Sequence, residues 1–427
     1  MTLSWLSIVR LGLVQMALGS IVVLTTSTFN RLMVVELALP AVLPGALVAL
    51  HYAIQVTRPN WGFLSDKGGS RTKYIIGGMV ALGAGAFLAA AALPVFETSF
   101  PLGLSISMVA YGFIGLGVGA GGTSLLALLA TATAPDRRAA AATITWLMMI
   151  FGIALTAGIV GQVLEPYSHD RLMAIVGVVT FGAVAVTSLA VWGIEQGIER
   201  KPDPDPVPFF DGLAEIWRER TARNFTIFVF LSMTAYFMQE LIVEPYAGLV
   251  FGFTPGQSTS LAGAQNGGVF LGMVLVGIAA TGFKLGALRT WVVAGCVGSA
   301  AALTIIMLIG QMGTEALVPA VVLLGFFNGM FAVAAIGSMM AFAGQGRERR
   351  EGTRMGLWGA AQAIAAGFGG LTGAAAADAL RQVTDTASAF GGVFLFEALL
   401  FLAAAWMALR TMEARLAPLP RSLVPGE

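Results

Sequence analysis

One cysteine, Cys296, and two histidines, His51 and His169, are all that the 427 residues supply. A disulfide framework is therefore out of reach, and so is a Cys/His metal cluster. Charge is scarce as well: Asp, Glu, Lys and Arg make up 11% of the chain, against about 25% in soluble domains. The net charge of +1 gives no sign of nucleic-acid binding. Also missing are an aspartate-rich metal-diphosphate motif and a glycine-rich dinucleotide fingerprint following a strand, which argues against an enzyme of either kind.

Apolar residues take the place of the missing charge, at 57% of the chain. A bilayer crossing needs about 20 consecutive apolar residues. Twelve stretches qualify: 11–29, 39–57, 75–95, 103–132, 139–163, 172–194, 225–243, 258–282, 288–310, 316–342, 355–376 and 388–409. Backbone groups cannot go unpaired in lipid, and uniformly apolar runs of this length satisfy them as helices rather than as barrel strands. The expected class is an all-α membrane protein. Lacking a small-residue cleavage site after it, the first stretch is read as a retained helix and not a signal peptide.

The loop Arg58–Lys73, RPNWGFLSDKGGSRTK, holds four basic residues and one acid between two apolar stretches. With this loop on the cytoplasmic side, the alternation places 21 Lys and Arg there and only Arg31, Arg171 and Arg381 opposite. That asymmetry predicts cytoplasmic termini.

The second half repeats the first. Asn30-Arg-Leu-Met-Val-Val aligns with Gln239-Glu-Leu-Ile-Val-Glu, Gly112-Phe-Ile-Gly with Gly325-Phe-Phe-Asn, and Trp146 with Trp358, at offsets close to half the chain. Two six-helix halves related by an axis along the membrane normal are the arrangement of the major facilitator superfamily. The expected units are 1–196, a linker 197–223, 224–410 and a tail 411–427. Within the linker, KPDPDPVP is stiff and extended. Asp211 to Ala222 then reads as an amphipathic helix on the membrane interface.

In the opening loop, Gly62, Asp66, Lys67, Gly69 and Arg71 are similar to the superfamily's signature between helices 2 and 3. There an aspartate at a helix N-terminus acts as a conformational latch. The counterpart loop, Gly282 to Arg289, contains no acid. Glycines at 112, 115, 117, 119, 121 and 122, and at 356, 359, 367, 369, 370 and 373, are read as close helix packing.

An ionisable group inside a bilayer is a functional candidate, because it is costly unless paired. The apolar stretches place two such groups deep, His51 and Glu397, and leave the cavity helices with neutral polar groups, Gln265, Asn266, Asn328 and Gln362. Asn30, Arg31 and Glu36 after helix 1, with Gln239, Glu240 and Glu244 after helix 7, form an outer polar cluster. An ion pair from Arg31 to Glu240 or Glu244 would tie the halves together there.

The strings TSTFNRLMVVELALP, RPNWGFLSDKGG and QELIVEPYAGLVFG resemble the PucC-type branch of the major facilitator superfamily, from Leu6 to Arg410. The short N-terminus and the run from His51 to Pro59 are most similar to members associated with bacteriochlorophyll synthase. The resemblance implies a multi-pass protein of the bacterial inner, photosynthetic membrane that delivers bacteriochlorophyll or a late precursor, or shepherds antenna subunits. Its implied partners are the synthase, antenna subunits and lipid. A phytylated chlorin is neutral and apolar, and its magnesium accepts one further ligand. His51, then Gln265 and Asn266, are the side-chain candidates for that contact. A secondary transporter of a small neutral amphipathic solute is the alternative.

Overall fold

The computed structural model describes residues 3–58, 61, 70–134, 138–196, 217–283, 285–313, 316–343 and 351–412. Among these residues the regular structure is entirely helical. Eleven helices are long and apolar enough to cross a bilayer, with a shorter twelfth between the first and second of them. In chain order they are α1 (Trp5–Glu36), α2 (Val42–Ile54), α3 (Arg71–Ala92), α4 (Phe100–Ala132), α5 (Arg138–Val163) and α6 (His169–Val191). The second set is α7 (Arg220–Glu240) with its extension Val243–Phe251, α8 (Pro255–Val276), α9 (Leu288–Met312), α10 (Leu317–Ala343), α11 (Glu351–Arg381) and α12 (Thr386–Thr411).

Two boundaries differ from the sequence reading, both for local chemical reasons. Helix 1 does not stop near residue 29, because two π-helical turns, Leu24–Thr28 and Leu32–Glu36, carry it on to Glu36. Asn30, Arg31 and Glu36 therefore lie within a helix and not after one. Helix 2 is correspondingly short. The chain must turn through Ala38, at φ +50°, and past Pro40 before a helix can restart at Val42, and a 3-10 turn then carries it to Thr57.

Packing repeats with a shift of six helices. Within the first six, α1 packs on α5 and α6, α3 on α4 and α6, and α2 on α4; within the second six, α7 packs on α11 and α12, α9 on α10 and α12, and α8 on α10. Each half accordingly buries its own apolar core. The halves meet along two equivalent seams, α2 on α11 and α5 on α8, and again where the last turns of α1 meet the α7 extension and the start of α8.

Small residues set how closely these helices approach. A Cβ on Gly117 would sit 2.5 Å from the Leu82 backbone nitrogen on α3, and one on Gly263 would sit 2.7 Å from that of Gly158 across the α5–α8 seam. Backbone-to-backbone contact of this kind is what glycine provides where lipid offers no hydrophobic drive to associate.

Candidate functional site: the seam between the halves

One end of the bundle carries Trp5 and Thr411, the other Glu36 and Asp378. Among the described residues, the hydrogen bonds between the two halves lie toward the Glu36 end. Asn30 Nδ2 donates to the Leu241 carbonyl at 2.7 Å, and the Thr28 and Thr259 hydroxyls are 3.2 Å apart. Arg31 donates to the Phe253 carbonyl at 2.6 Å. Glu165 accepts from the Gly256 amide at 2.9 Å and from the Thr254 hydroxyl. The Val42 amide donates to Asp378 Oδ2 at 2.7 Å.

The sequence of α1 explains how its side chains reach the seam. In LTTST the Thr25 and Thr26 hydroxyls both bond back to the Val22 carbonyl, at 2.8 and 3.2 Å. Such back-bonding competes with regular helical hydrogen bonds, and the helix widens into its first π turn there. The partner segment breaks between α7 and its extension, at Leu241 and Ile242. The Asn30 amide satisfies the carbonyl at that break.

The seam is polar and almost closed to solvent. Asn30, Arg31 and Glu244 are 0%, 2% and 2% exposed. Arg31 pairs with Glu36 of its own helix and not with Glu240 or Glu244, which corrects the expected tie between halves. The cross-seam bond from Arg31 goes to a backbone carbonyl instead. Thr26 faces Glu240 and Ser27 faces Glu244, yet neither Glu244 oxygen reaches a hydrogen-bond partner. Asn30 Oδ1, Arg31 Nε and Gln239 Oε1 are likewise buried without a partner. A buried polar atom left unpaired costs about 1–3 kcal/mol, so this seam is a costly way to close a bundle. The deep ionisable groups thus extend beyond His51 and Glu397 to Arg31 and Glu244. Glu397, on α12, is fully buried and also unpartnered.

His51 faces inward on α2 at 3% exposure. Its Nε2 lies 2.6 Å from Gln55 Nε2, while Gln55 Oε1 accepts from Arg58. With its oxygen engaged, the Gln55 amide must donate through nitrogen, so His51 Nε2 is the acceptor and the imidazole is neutral with its proton on Nδ1. The lone pair that a magnesium ion would need is already in use. The two other candidates lie elsewhere, on α8, which packs on α5 and α10 and not on α2. Asn266 Nδ2 bonds to the Ala262 carbonyl at 3.0 Å, and Gln265 is partly buried. The three candidates therefore do not form one ligand set. Asn328 is fully buried and accepts from Ser299 within the second half, at 2.8 Å; it does not line a cavity as the sequence implied.

Of the expected latch, Gly62, Asp66, Lys67 and Gly69 lie outside the described residues. Arg71 is described, at the start of α3, and the sequence reading missed its partner. Glu195, just past α6, accepts from the Arg71 amide at 2.9 Å, the Thr72 amide at 3.1 Å, and the Ser70 and Thr72 hydroxyls at 2.7 and 2.8 Å. Partial burial raises the carboxyl's pKa, but these four bonds together hold it below its ordinary value of 4.5. Arg71 also reaches the Ala127 carbonyl on α4 at 3.1 Å. Glu195 thus caps α3 and ties it to α6 at the Trp5 end. Of the expected interfacial helix, Asp211 to Ile216 lie outside the described residues, and the residues from Arg220 onward belong to α7.

Solved structures share the architecture. A mutant of the nucleoside transporter NupG superposes with TM-score 0.69 at 13% identity, over 95% of this chain and 100% of that one. A mutant of the peptide transporter POT gives 0.65 at 16% identity, over 95% of each. At such identities the likeness is one of fold: the chain has the major facilitator arrangement. Among sequences, the "Bacteriochlorophyll synthase 44.5 kDa chain" of Rhodobacter capsulatus is 63% identical over the full length of both proteins. "Protein PucC" of Cereibacter sphaeroides is 27% identical, over 90% of this chain and 86% of that one. The family model described as PUCC protein matches residues 28–416. The chain is a multi-pass membrane protein that belongs to the PucC family.

Proposed function

We propose that the chain is an assembly factor of the photosynthetic membrane, which binds bacteriochlorophyll or a late precursor and hands it from its synthase to light-harvesting or reaction-centre proteins. The observation that carries this reading is the full-length, 63% identical relative named as a chain of bacteriochlorophyll synthase. The chain acts as a non-enzymatic companion of the synthase. In this reading its place is the inner, intracytoplasmic membrane, with the Trp5 end cytoplasmic, an orientation that the Lys and Arg distribution supports.

The pigment is cargo, and the residues first considered for it do not fit it as a set. His51 is occupied by Gln55, and Gln265 and Asn266 stand on a helix that does not pack against it. No step of delivery is therefore assigned to a His51–magnesium bond. Contact with an apolar, uncharged chlorin falls instead to lipid-facing or seam surfaces, with Gln265 and Asn266 as the remaining side-chain candidates.

The second reading, a transporter of a small neutral amphipathic solute, draws on the confinement of the described cross-half hydrogen bonds to the Glu36 end. Closure at the Glu36 end is one state of an alternating-access cycle. Purification in mild detergent from a phototrophic host separates the two. A stoichiometric chlorin band, or a co-purifying synthase or antenna subunit, is expected. A colourless, solitary protein would leave the transporter reading in front.

A further inference from the structure

At the Trp5 end, the start of α7 and the end of α12 diverge around a cavity of about 550 Å3 lined by Arg220, Asn224, Trp406, Met407, Arg410 and Thr411. Its lining is unusual for this chain, because two arginines share it in a protein with so little charge. The guanidinium of neither Arg220 nor Arg410 has a hydrogen bond or ion pair to any described residue. The Arg410 guanidinium instead lies over the Trp406 ring, 4.1 Å from its centroid, a contact that leaves its N–H donors unspent. Asn224 and Thr411 add an amide and a hydroxyl. Arg220 opens α7, so the first-turn N–H groups add partial positive charge on the same side.

The equivalent place in the first half is filled from within. There α1 and α6 form the matching pair, and Arg10 donates to the Leu189 and Trp192 carbonyls at the end of α6. In the second half the same pair of helices keeps its cationic groups unspent beside an open space.

The surface below the cavity says what kind of molecule reaches it. Leu399, Leu402, Trp406 and Leu409 are 55%, 45%, 54% and 51% exposed. Their spacing of three and four residues makes one stripe down α12. Ile227, also exposed, extends the apolar surface on α7. The cavity is thus a cationic mouth at the head of a lipid-facing groove. Guanidinium groups bind phosphate oxygens bidentately, and basic pockets between membrane helices on this side are suited to anionic headgroups.

We infer that the Arg220–Arg410 cavity is a binding site for the phosphate headgroup of an anionic phospholipid, whose acyl chains lie along the α12 stripe. The site is independent of the pigment-handling reading. A lipid held here would bridge the first turn of α7 to the last turn of α12 and steady the Trp5 end of the second half.

Native mass spectrometry of the full chain, loaded with phosphatidylglycerol or phosphatidylcholine in matched detergent, tests it. Retention of phosphatidylglycerol should exceed that of phosphatidylcholine by about tenfold, and Arg220→Gln with Arg410→Gln should remove the preference. Arg381→Gln, at the opposite end, should leave it intact. Equal retention of the two lipids, or an unchanged preference in the double variant, would overturn the site. Displacement of phosphatidylglycerol by millimolar inorganic phosphate would overturn the lipid as its source and leave a free-anion site. Both arginines are exposed, so the double variant is expected to fold, and its thermal unfolding in detergent checks that directly.

Discussion

Asn30 on α1 donates its amide to the carbonyl of Leu241, 2.7 Å away, at the break that follows α7. These two residues belong to different halves and to pseudo-equivalent helices, so the bond can persist only while the Glu36 end is shut. Replacing Asn30 with Ala strands a buried carbonyl at a cost of about 1–3 kcal/mol. The cost falls on the shut state. Thermal unfolding in detergent should drop for Asn30→Ala, and an unchanged melting temperature would mean that water replaces the amide without loss.

The α5–α8 seam should be less forgiving. A Cβ on Gly263 would lie 2.7 Å from the Gly158 nitrogen, a backbone atom that no rotamer change can move aside. Gly263→Val is therefore expected to wedge the seam open at the Glu36 end. Cys296 is fully buried, so a cysteine introduced at Ser260, which itself packs against Gly161, reports access almost alone. A polar maleimide should label Ser260→Cys several-fold faster when Gly263→Val is present. Equal rates would show that the seam adjusts without opening.

The helices, their pairing by halves and the use of glycine were all legible in the sequence, because apolar length and small-residue spacing are local signals. The seam was legible only in part. TSTFNR and QELIVE marked the right segments, but polar residues suggested helix ends, whereas a widened helix carries Asn30 and Arg31 into the interior. The choice of Glu36 as the partner of Arg31 depends on that widening, which no apolar periodicity reports. Glu195, Glu165 and Asp378 were invisible for a different reason. Each accepts from backbone amides far away in sequence, and a backbone donor carries no residue signature.

Glu195 supplies a pH-dependent prediction. Its four hydrogen bonds hold the folded-state pKa below the ordinary 4.5, so the folded chain binds fewer protons than the unfolded one around that pH. The stabilisation is present above 4.5 and is lost as pH falls through the depressed folded value. Glu195→Gln should melt below the wild type at pH ~7, with the gap closing toward pH ~3. Glu195 is only partly buried, so the gap is expected to be small. A gap that persisted undiminished at acid pH would show that shape and not charge caps α3.

At His51 the geometry decides between the two roles that the sequence left open. A lone histidine in an apolar helix reads either as a metal-binding or proton-carrying group or as a neutral imidazole hydrogen-bonded to a neighbour, and its Nε2 is held 2.6 Å from the Gln55 amide, with Gln55 held in turn by Arg58. The line His51–Gln55–Arg58 runs along one face of the short α2, and it braces that helix where it turns toward the following loop. His51→Ala should therefore leave any co-purified chlorin band at wild-type intensity while lowering thermal stability by about 1–3 kcal/mol, the cost of stranding buried polar partners. Gln55→Ala separates the two roles, since it releases Nε2 and would strengthen pigment retention if the freed imidazole reaches the pigment. An absorption spectrum of each variant, normalised to protein, reads the result. Loss of the band in His51→Ala with stability unchanged would make the imidazole a pigment ligand after all, and would require Gln55 to move aside when the pigment binds.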